Sequence, residues 1–210
     1  PGVYNLANGV SSPLVNTTIR KKRVNSLYFM ANLAYKDMLF LDLTGRNDWS
    51  STLPKQHRSF FYPSVSLSAV VNSIAKLPSW IHLLKVRASW AQVGNDTDPY
   101  KTSPYYTTSD FAGALVKPST LYNADFKPEM SSNWEGGFDF RVLGGRLGLD
   151  MTYYYNRTKN QILNAPFDPT TGYTKGTINS GCVSNRGVEL VLRGTPIKTR
   201  DLQWDLTATW

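Results

Sequence analysis

Residues 132–157 carry two stretches of alternating apolar and polar side chains, joined at a glycine pair. Successive side chains of a β-strand point to opposite faces, so this alternation predicts two amphipathic strands. Gly144 and Gly145 allow the positive φ angles that a tight hairpin turn requires. Each arm is about ten residues long, enough for a tilted strand to cross the hydrocarbon layer of a bilayer. The apolar face of the predicted hairpin consists of Trp134, Gly136, Phe138, Phe140, Val142, Leu147, Leu149, Met151, Tyr153 and Tyr155.

The same alternation recurs along most of the chain. Between the predicted strands, short or intermediate connections near Lys36, Asn72, Gly144 and Thr195 alternate with long polar ones. Consecutive strands joined in this way form a meander of hairpins with all long loops at one edge. The chain is therefore predicted to be all-β, an antiparallel meander of about eight strands. Besides the two arms, the strands are predicted at residues 25–35, 39–46, 61–71, 84–94, 187–193 and 204–210, and the long loops at 47–59, 95–131 and 160–182.

Charged side chains occupy the polar faces of these strands. In the dry interior of a small soluble barrel, each unpaired ion would cost several kcal/mol. A water-filled lumen removes that cost, which favours polar faces inside a large transmembrane barrel and apolar faces toward lipid. The alternative is a soluble carbohydrate-binding β-sandwich, with the charged faces in solvent and the apolar faces packed together. The charges are Asp42, Arg46, Lys85, Arg87, Glu135, Asp139, Arg141, Asp150, Glu189 and Arg193.

Aromatic residues cluster near the predicted strand ends. One group adjoins the long loops, and Trp204 lies near the opposite edge. Transmembrane barrels carry aromatic girdles at both membrane interfaces, so this distribution agrees with the barrel. The group near the long loops consists of Trp49, Phe60, Phe61, Tyr62, Trp90, Trp134, Tyr153 and Tyr155.

Composition excludes several other classes of protein. The chain has no apolar run of about 18 residues, so no transmembrane helix is predicted. Its single cysteine, Cys182, excludes an intrachain disulfide. A net charge of +8 is compatible with an anionic partner, but nothing resembles an RNA-recognition motif, and we expect no nucleic-acid binding. Residues 205–210 end within an alternating pattern and residues 1–4 lack the features of a signal peptide, so we expect a piece of a longer protein.

Several separate motifs, in order, carry a family resemblance. They are NDWS at 47–50, FYPSVS at 61–66, LKVRASWAQVGN at 84–95, KPE at 127–129, WEGGFD at 134–139, LDMTYYYN at 149–156 and NRGVEL at 185–190. Together they resemble the SusC/RagA-like TonB-dependent outer-membrane transporters, over nearly the whole chain from about residue 25.

The resemblance implies a 22-stranded barrel in the outer membrane of a Gram-negative bacterium, of which residues 1–210 form a piece of the carboxy-terminal half. It also implies import of oligosaccharides or peptides, a SusD-like surface lipoprotein as partner, and energy from the TonB complex. The plug domain and the signal peptide of such a protein are expected outside these 210 residues.

The long segment at 95–131 is the predicted ligand-binding loop, since irregular segments of this length are usually functional. Aromatic faces stack on sugar rings, and carboxylates fix their hydroxyls. The alternative is a loop that packs only on itself or on neighbouring loops. The candidate ligand-binding residues are Tyr100, Tyr105, Tyr106, Phe111, Asp96 and Asp98.

Metal, cofactor and catalytic sites are not predicted. Asp96 and Asp98 offer oxygen ligands for calcium, but the spacing of an EF-hand is missing. His57 and His82 lack the spacing of metal ligands, and Cys182 has no neighbouring histidine to activate it. The carboxylates of the polar faces are explained as lumen charges without a glycosidase pair. We therefore expect a protein that is not an enzyme and that uses no cofactor.

Overall fold

Eight long antiparallel strands form a single sheet in the computed structural model, which describes residues 19–109 and 113–210. The order in the sheet is β1-β2-β3-β4-β8-β9-β12-β13, so each long strand pairs with the next one along the chain. The predicted meander is confirmed, and the alternative sandwich of two packed sheets is wrong. The long strands are β1 (Val24–Tyr35), β2 (Leu39–Ser50), β3 (Ser59–Val70), β4 (Ile81–Asn95), β8 (Glu129–Val142), β9 (Leu147–Lys159), β12 (Cys182–Lys198) and β13 (Gln203–Thr209).

The pairing register puts most of the large apolar side chains of these strands on one face. Leu67, for example, lies opposite Leu41 on one neighbouring strand and opposite Ala88 on the other. The large apolar side chains of this face are solvent-exposed, with Leu27 68% and Trp134 56% accessible. A face this apolar and this exposed is the lipid-facing side of a membrane barrel. We call it the outward face and the opposite one the inward face.

The connections differ at the two ends of the sheet, as predicted. Residues 36–38, 71–80, 143–146 and 199–202 join the strands at what we call the turn end. Gly144 (φ 65°) and Gly145 (φ 83°) adopt the positive φ angles expected for the turn of the central hairpin. The connections at 51–58, 96–128 and 160–181 lie at the loop end, and the last two are far longer than any connection at the turn end. The only α-helix of the described residues is α1 (Val71–Ile74), and none of their helices has the length and hydrophobicity to cross a membrane.

Several strands extend beyond their predicted limits. The second predicted strand ended at Arg46, whereas β2 continues to Ser50, and the first four residues of the predicted connector at 195–203 belong to β12. Two predicted loops contain short strands, because polar and glycine-containing sequences still pair when a neighbouring strand supplies partners. These short strands are β5 (Thr107–Thr108), β6 (Leu115–Val116), β7 (Thr120–Leu121), β10 (Ile162–Pro166) and β11 (Lys175–Asn179).

β3 and β4 separate near the loop end. Their pairing covers only Ser64–Val70 of β3, although both strands continue beyond it. Gly94 of β4 lies where an added Cβ would fall 2.4 Å from the ring of Phe60, so only glycine allows this approach. An open groove of about 440 Å³ extends along the separation.

A small hydrophobic core anchors the loops to the sheet. Phe126 is completely buried against Leu53 and Phe60, with Tyr62 and Ile162 packed around them. Phe60 and Tyr62 belong to the inward side of β3, since Tyr62 lies opposite Arg46 and donates a hydrogen bond to Asp48 (2.7 Å). Phe60 and Tyr62, which the sequence places among the aromatics beside the long loops, therefore face inward, opposite in orientation to Phe61. The loops fold over the inward side of the sheet.

A buried carboxylate ties the amino-terminal segment to the same region. Asp96 accepts hydrogen bonds from Lys22, from Ser50 and from the Thr52 hydroxyl (3.1 Å), and its side chain is only 10% exposed. Burial raises the pKa of Asp96, but the hydrogen bonds from Lys22 and Ser50 outweigh burial and hold the pKa below its ordinary value. This clamp is therefore intact above the ordinary aspartate pKa and weakens as the pH falls through the lowered one.

The two faces of the sheet are expected to respond differently to substitution. In the full-length protein refolded into lipid vesicles, Phe138→Arg puts a cation into hydrocarbon and lowers the free energy of unfolding by about 2 to 4 kcal/mol. Asp139→Asn, the neighbouring residue on the inward face, removes only a half-exposed ion pair with Arg141 and costs less than about 1 kcal/mol. Denaturant titration measures both, and equal losses contradict the assignment of the faces.

The clamp is expected to control the order of the long loop. Asp96→Ala removes an acceptor worth about 1.5 to 3 kcal/mol and leaves nearby donors unpaired. Trypsin should then cleave after Lys101 of the full-length protein about tenfold faster or more, whereas Lys117 and Lys127 precede prolines and resist trypsin. Asp98→Ala is the matched control, since Asp98 forms an exposed ion pair with Lys101. Unchanged cleavage of the Asp96 variant contradicts the role of the clamp.

Candidate functional site

The inward face carries a network of matched charges. Arg87 donates hydrogen bonds to both carboxylate oxygens of Asp150 (2.6 and 3.3 Å) and to the hydroxyl of Thr152 (2.6 Å). Arg141 donates in the same two-pronged way to Asp139 (2.7 and 3.1 Å). Among the described residues, no buried side-chain nitrogen or oxygen lacks a hydrogen-bond partner. The inward face is thus polar and ordered, with its strongest charges satisfied within the sheet.

A groove of about 490 Å³ runs along this face between β8, β9 and β12. Glu189 lies in it, is exposed, and forms no ion pair with a described residue. A polar groove with free acceptors can hydrogen-bond a passing polar solute without a covalent step. The lining residues are Arg87, Asn133, Glu135, Thr152, Tyr154, Asn156, Asn185 and Glu189.

A second groove, of about 350 Å³, lies among the loops at the loop end. Two separate loops build it. The 96–128 segment provides most of the lining. The three-stranded sheet β10-β11-β7 joins the two loops, and each loop contributes polar side chains of this sheet to the groove. The lining residues are Arg20, Asp98, Pro99, Tyr100, Lys101, Tyr105, Thr120, Tyr122, Asn164, Lys175 and Thr177. We call this the loop groove.

Two tyrosines of the loop groove are held in a defined arrangement. The rings of Tyr100 and Tyr105 meet edge to face, with centroids 5.9 Å apart. Tyr100 has a φ of 67°, and its hydroxyl accepts a hydrogen bond from the backbone N–H of Lys21 (3.2 Å). Asp98 accepts from Lys101 at 2.9 Å, and this hydrogen bond lowers the pKa of the Asp98 carboxyl. The groove therefore presents aromatic surface, an ionised carboxylate and cations together.

The six candidate ligand residues do not all lie together. Asp98, Tyr100 and Tyr105 line the loop groove. Asp96 is engaged in the clamp, beside a neighbouring groove of about 350 Å³. Tyr106 is 63% exposed and lies outside the lining of the loop groove, and Phe111 lies outside the described residues.

Sequence reasoning missed the contribution of the second loop. Asn164, Lys175 and Thr177 line the groove because β10 and β11 form a hairpin within the predicted loop 160–182. A signal for this hairpin was present. Asp168 and Gly172 bracket a turn, in which Asp168 accepts hydrogen bonds from Thr170 and Gly172 adopts a φ of 80°.

Carboxylates elsewhere are used in hydrogen bonds and ion pairs. Among residues 19–109 and 113–210, no group of three or more His, Cys, Asp or Glu is arranged to hold a metal ion. His57 lies 2.9 Å from Asp125, whose pKa is lowered by hydrogen bonds from Gln56 and then from His57. Asp139 and Asp150 lie opposite each other on β8 and β9, and each binds an arginine.

Comparison with known proteins identifies relatives over nearly the whole chain. The family described as TonB dependent receptor-like, beta-barrel matches residues 1–210. The TonB-dependent receptor P26 of Formosa agariphila is 26% identical over 202 residues, which is 88% of this chain and 20% of that protein. The TonB-dependent receptor SusC of Bacteroides thetaiotaomicron is 26% identical over 200 residues, again 88% of this chain and 20% of that protein. The chain thus spans about a fifth of the length of these relatives.

Solved structures share the fold. The RagAB peptide importer in its closed-closed state superposes with a TM-score of 0.87 at 22% identity, over 99% of this chain and 24% of that chain. The siderophore receptor PirA of Pseudomonas aeruginosa superposes with a TM-score of 0.61 at 21% identity, over 90% of this chain and 34% of that chain.

The open sheet, its outward apolar face and its long loops at one end thus match the wall of a transmembrane barrel closed by further strands. The chain belongs to the TonB-dependent receptor-like beta-barrel family of outer-membrane proteins of Gram-negative bacteria, and it is similar to SusC and to the RagAB importer.

Proposed function

We propose that this chain is part of the wall of a TonB-dependent importer that takes up a nutrient oligomer, either an oligosaccharide or a peptide. The observation that carries the proposal is the polar inward face, whose groove beside Arg87 and Glu189 lies below loops that form an aromatic groove of their own. An importer requires both features, a recognition surface at the outer mouth and a hydrated wall along the path.

The loop groove provides the recognition chemistry. Tyr100 and Tyr105 present ring surface for an apolar face of the oligomer, and Asp98 accepts hydrogen bonds from hydroxyl or amide groups. Arg20 and Lys175 add cations that form no ion pair with a described residue. Pockets that combine apolar surface with a few directed polar groups are typical ligand sites. Asp96 and Phe111 are further proposed contacts in the same segment, and Tyr106 belongs to that segment but lies outside the lining of the loop groove.

The names of the relatives support the class of activity. One relative is named TonB-dependent receptor SusC, and one structural neighbour is named RagAB peptide importer. We propose a SusD-like surface lipoprotein as the partner that covers the loop end. The TonB complex would supply energy through a plug domain that lies outside these 210 residues.

The proposal includes no catalytic step. A glycosidase needs one carboxylate as acid and the other as base or nucleophile. The facing carboxylates Asp139 and Asp150 each form hydrogen bonds with an arginine, which supports a role as wall charges. Transport by this protein would leave the oligomer chemically unchanged and would use no cofactor.

Removal of one ring of the loop groove is expected to weaken binding. Tyr105→Ala in the full-length receptor should raise the Kd for the transported oligomer about tenfold, since an anchoring aromatic contributes more than about 1 kcal/mol. Tyr106→Ala is the matched control, because Tyr106 is the next residue and lies outside the groove lining. Calorimetry with panels of neutral oligosaccharides, acidic oligosaccharides and peptides measures the Kd and identifies the chemical class of the transported oligomer. Equal losses in both variants contradict recognition in the loop groove.

Import itself is tested in cells that carry the full-length receptor. Uptake of the labelled oligomer should fall to the background level when the TonB complex is removed or when its electrochemical energy source is collapsed. Uptake that continues unchanged without the TonB complex contradicts the proposed energy coupling, whatever the result for the tyrosine variants.

A further inference from the structure

Three cations lie on the outward face of the sheet. Arg186 of β12 lies opposite Tyr155, which lies opposite Trp134 of the apolar face. Arg157 is two residues beyond Tyr155 on β9 and therefore points to the same side, and Lys159 follows two residues later. The side chains of all three are exposed. We call Arg157, Lys159 and Arg186 the outward cation patch.

The outward face offers these cations no carboxylate. Every Asp and Glu of the eight long strands lies on the inward face, and none of the three cations forms an ion pair with a described residue. Arg157 instead donates to the sulfur of Cys182 at 2.9 Å. The inward carboxylates are Asp42, Asp48, Glu129, Glu135, Asp139, Asp150, Glu189 and Asp205. Cations without acidic neighbours on a lipid-facing wall are available to bind an anion from the surroundings.

The patch lies at the height of lipid headgroups. Arg186 is level with Tyr155 of the aromatic girdle, and Arg157 and Lys159 lie farther toward the loop end. Among the outward side chains of the described long strands, Lys and Arg occur only there and not near the turn end. Aromatic side chains mark the membrane interface, so the cations just beyond them face the headgroups of the outer leaflet.

The chemistry of the patch suits phosphate. Arg157 and Arg186 are diagonal neighbours on adjacent antiparallel strands, a relation in which the residues lie about 7 to 8 Å apart. Each guanidinium can bind a phosphate group through two parallel hydrogen bonds, and Lys159 adds a third cation on the same face. A groove of about 300 Å³ beside Trp49 of β2 is lined also by Arg23 and Arg58, which lie just outside the strands, so arginine and tryptophan are combined a second time at the loop end.

We propose that the outward cation patch binds the phosphate groups of glycolipid headgroups in the outer leaflet of the outer membrane. Basic clusters beside a membrane surface bind anionic headgroups, with a contribution from each Lys or Arg. The site is independent of nutrient recognition, since the patch faces lipid and the loop groove lies over the inward side. It fixes the wall laterally to a phosphorylated lipid.

The test measures lipid binding to the full-length receptor in nanodiscs. The probe is phosphorylated lipopolysaccharide, counted by native mass spectrometry, with enzymatically dephosphorylated lipopolysaccharide and inorganic phosphate as separate arms. The variant is the triple substitution Arg157→Gln, Lys159→Gln and Arg186→Gln. Arg193→Gln is the matched control, an exposed arginine on the inward face of the same strand.

The triple variant should bind phosphorylated lipopolysaccharide about tenfold more weakly or worse, and the Arg193→Gln control should bind as the native receptor does. Dephosphorylated lipid should bind the native receptor as weakly as the triple variant binds the phosphorylated one. Unchanged binding by the triple variant, or an equal loss in the control, overturns the proposal. Saturation of the patch by inorganic phosphate at lipid-like affinity also overturns it, since the site would then be a free-anion site.

A pair of single substitutions covers the case in which the triple variant does not fold. Arg186→Gln should weaken binding severalfold, whereas Arg186→Lys keeps the charge and should retain most of it. Equal binding by these two variants contradicts a charge-dependent contact with lipid phosphate.

Discussion

Ionised carboxylates are excluded from one entire face of this sheet, and the remaining features of the wall depend on that exclusion. A carboxylate that faces hydrocarbon is costly, so the side chain of each Asp and Glu of the long strands lies on the inward face. The inward side consequently collects acids and bases on neighbouring strands, where Arg87 and Asp150 neutralise each other. A shift of register by one residue would reverse every side chain, so the charges also fix the pairing of the strands.

The loops follow a different rule, since they lie in water and are held by local packing. Phe126 is the only large apolar side chain among the described residues that is completely buried, and it belongs to a loop and not to the sheet. The carboxylate of Asp96 adds a polar anchor beside it. The wall is thus stabilised by pairing and by lipid, whereas the loops depend on a core of a few residues and on one clamp.

Much of the wall could be predicted from the sequence, because alternation is a local signal. The hairpin around Gly144, the two faces and the unequal ends of the meander all follow from residues close together in the chain. The loop end depends on distant contacts. Asp96 meets Lys22, and Asn164 joins the groove of Tyr100, through a fold that no short window of sequence reveals. Phe60 and Tyr62 face inward by the alternation of β3, and only their packing against Phe126 depends on the distant loop.

The separation of β3 from β4 gives a measure of depth in the bilayer. Within hydrocarbon, each backbone group without a hydrogen-bond partner costs several kcal/mol, so strands can part only where water reaches them. Pairing stops beyond Ser64 and Ala91, one position from Val65 and Trp90. The outer boundary of the hydrocarbon therefore cannot lie beyond that pair on these strands. Trp90 and Trp134, whose ring centroids are 5.8 Å apart, lie at this limit. Backbone pairing and aromatic side chains therefore locate the outer membrane–water interface at the same height independently.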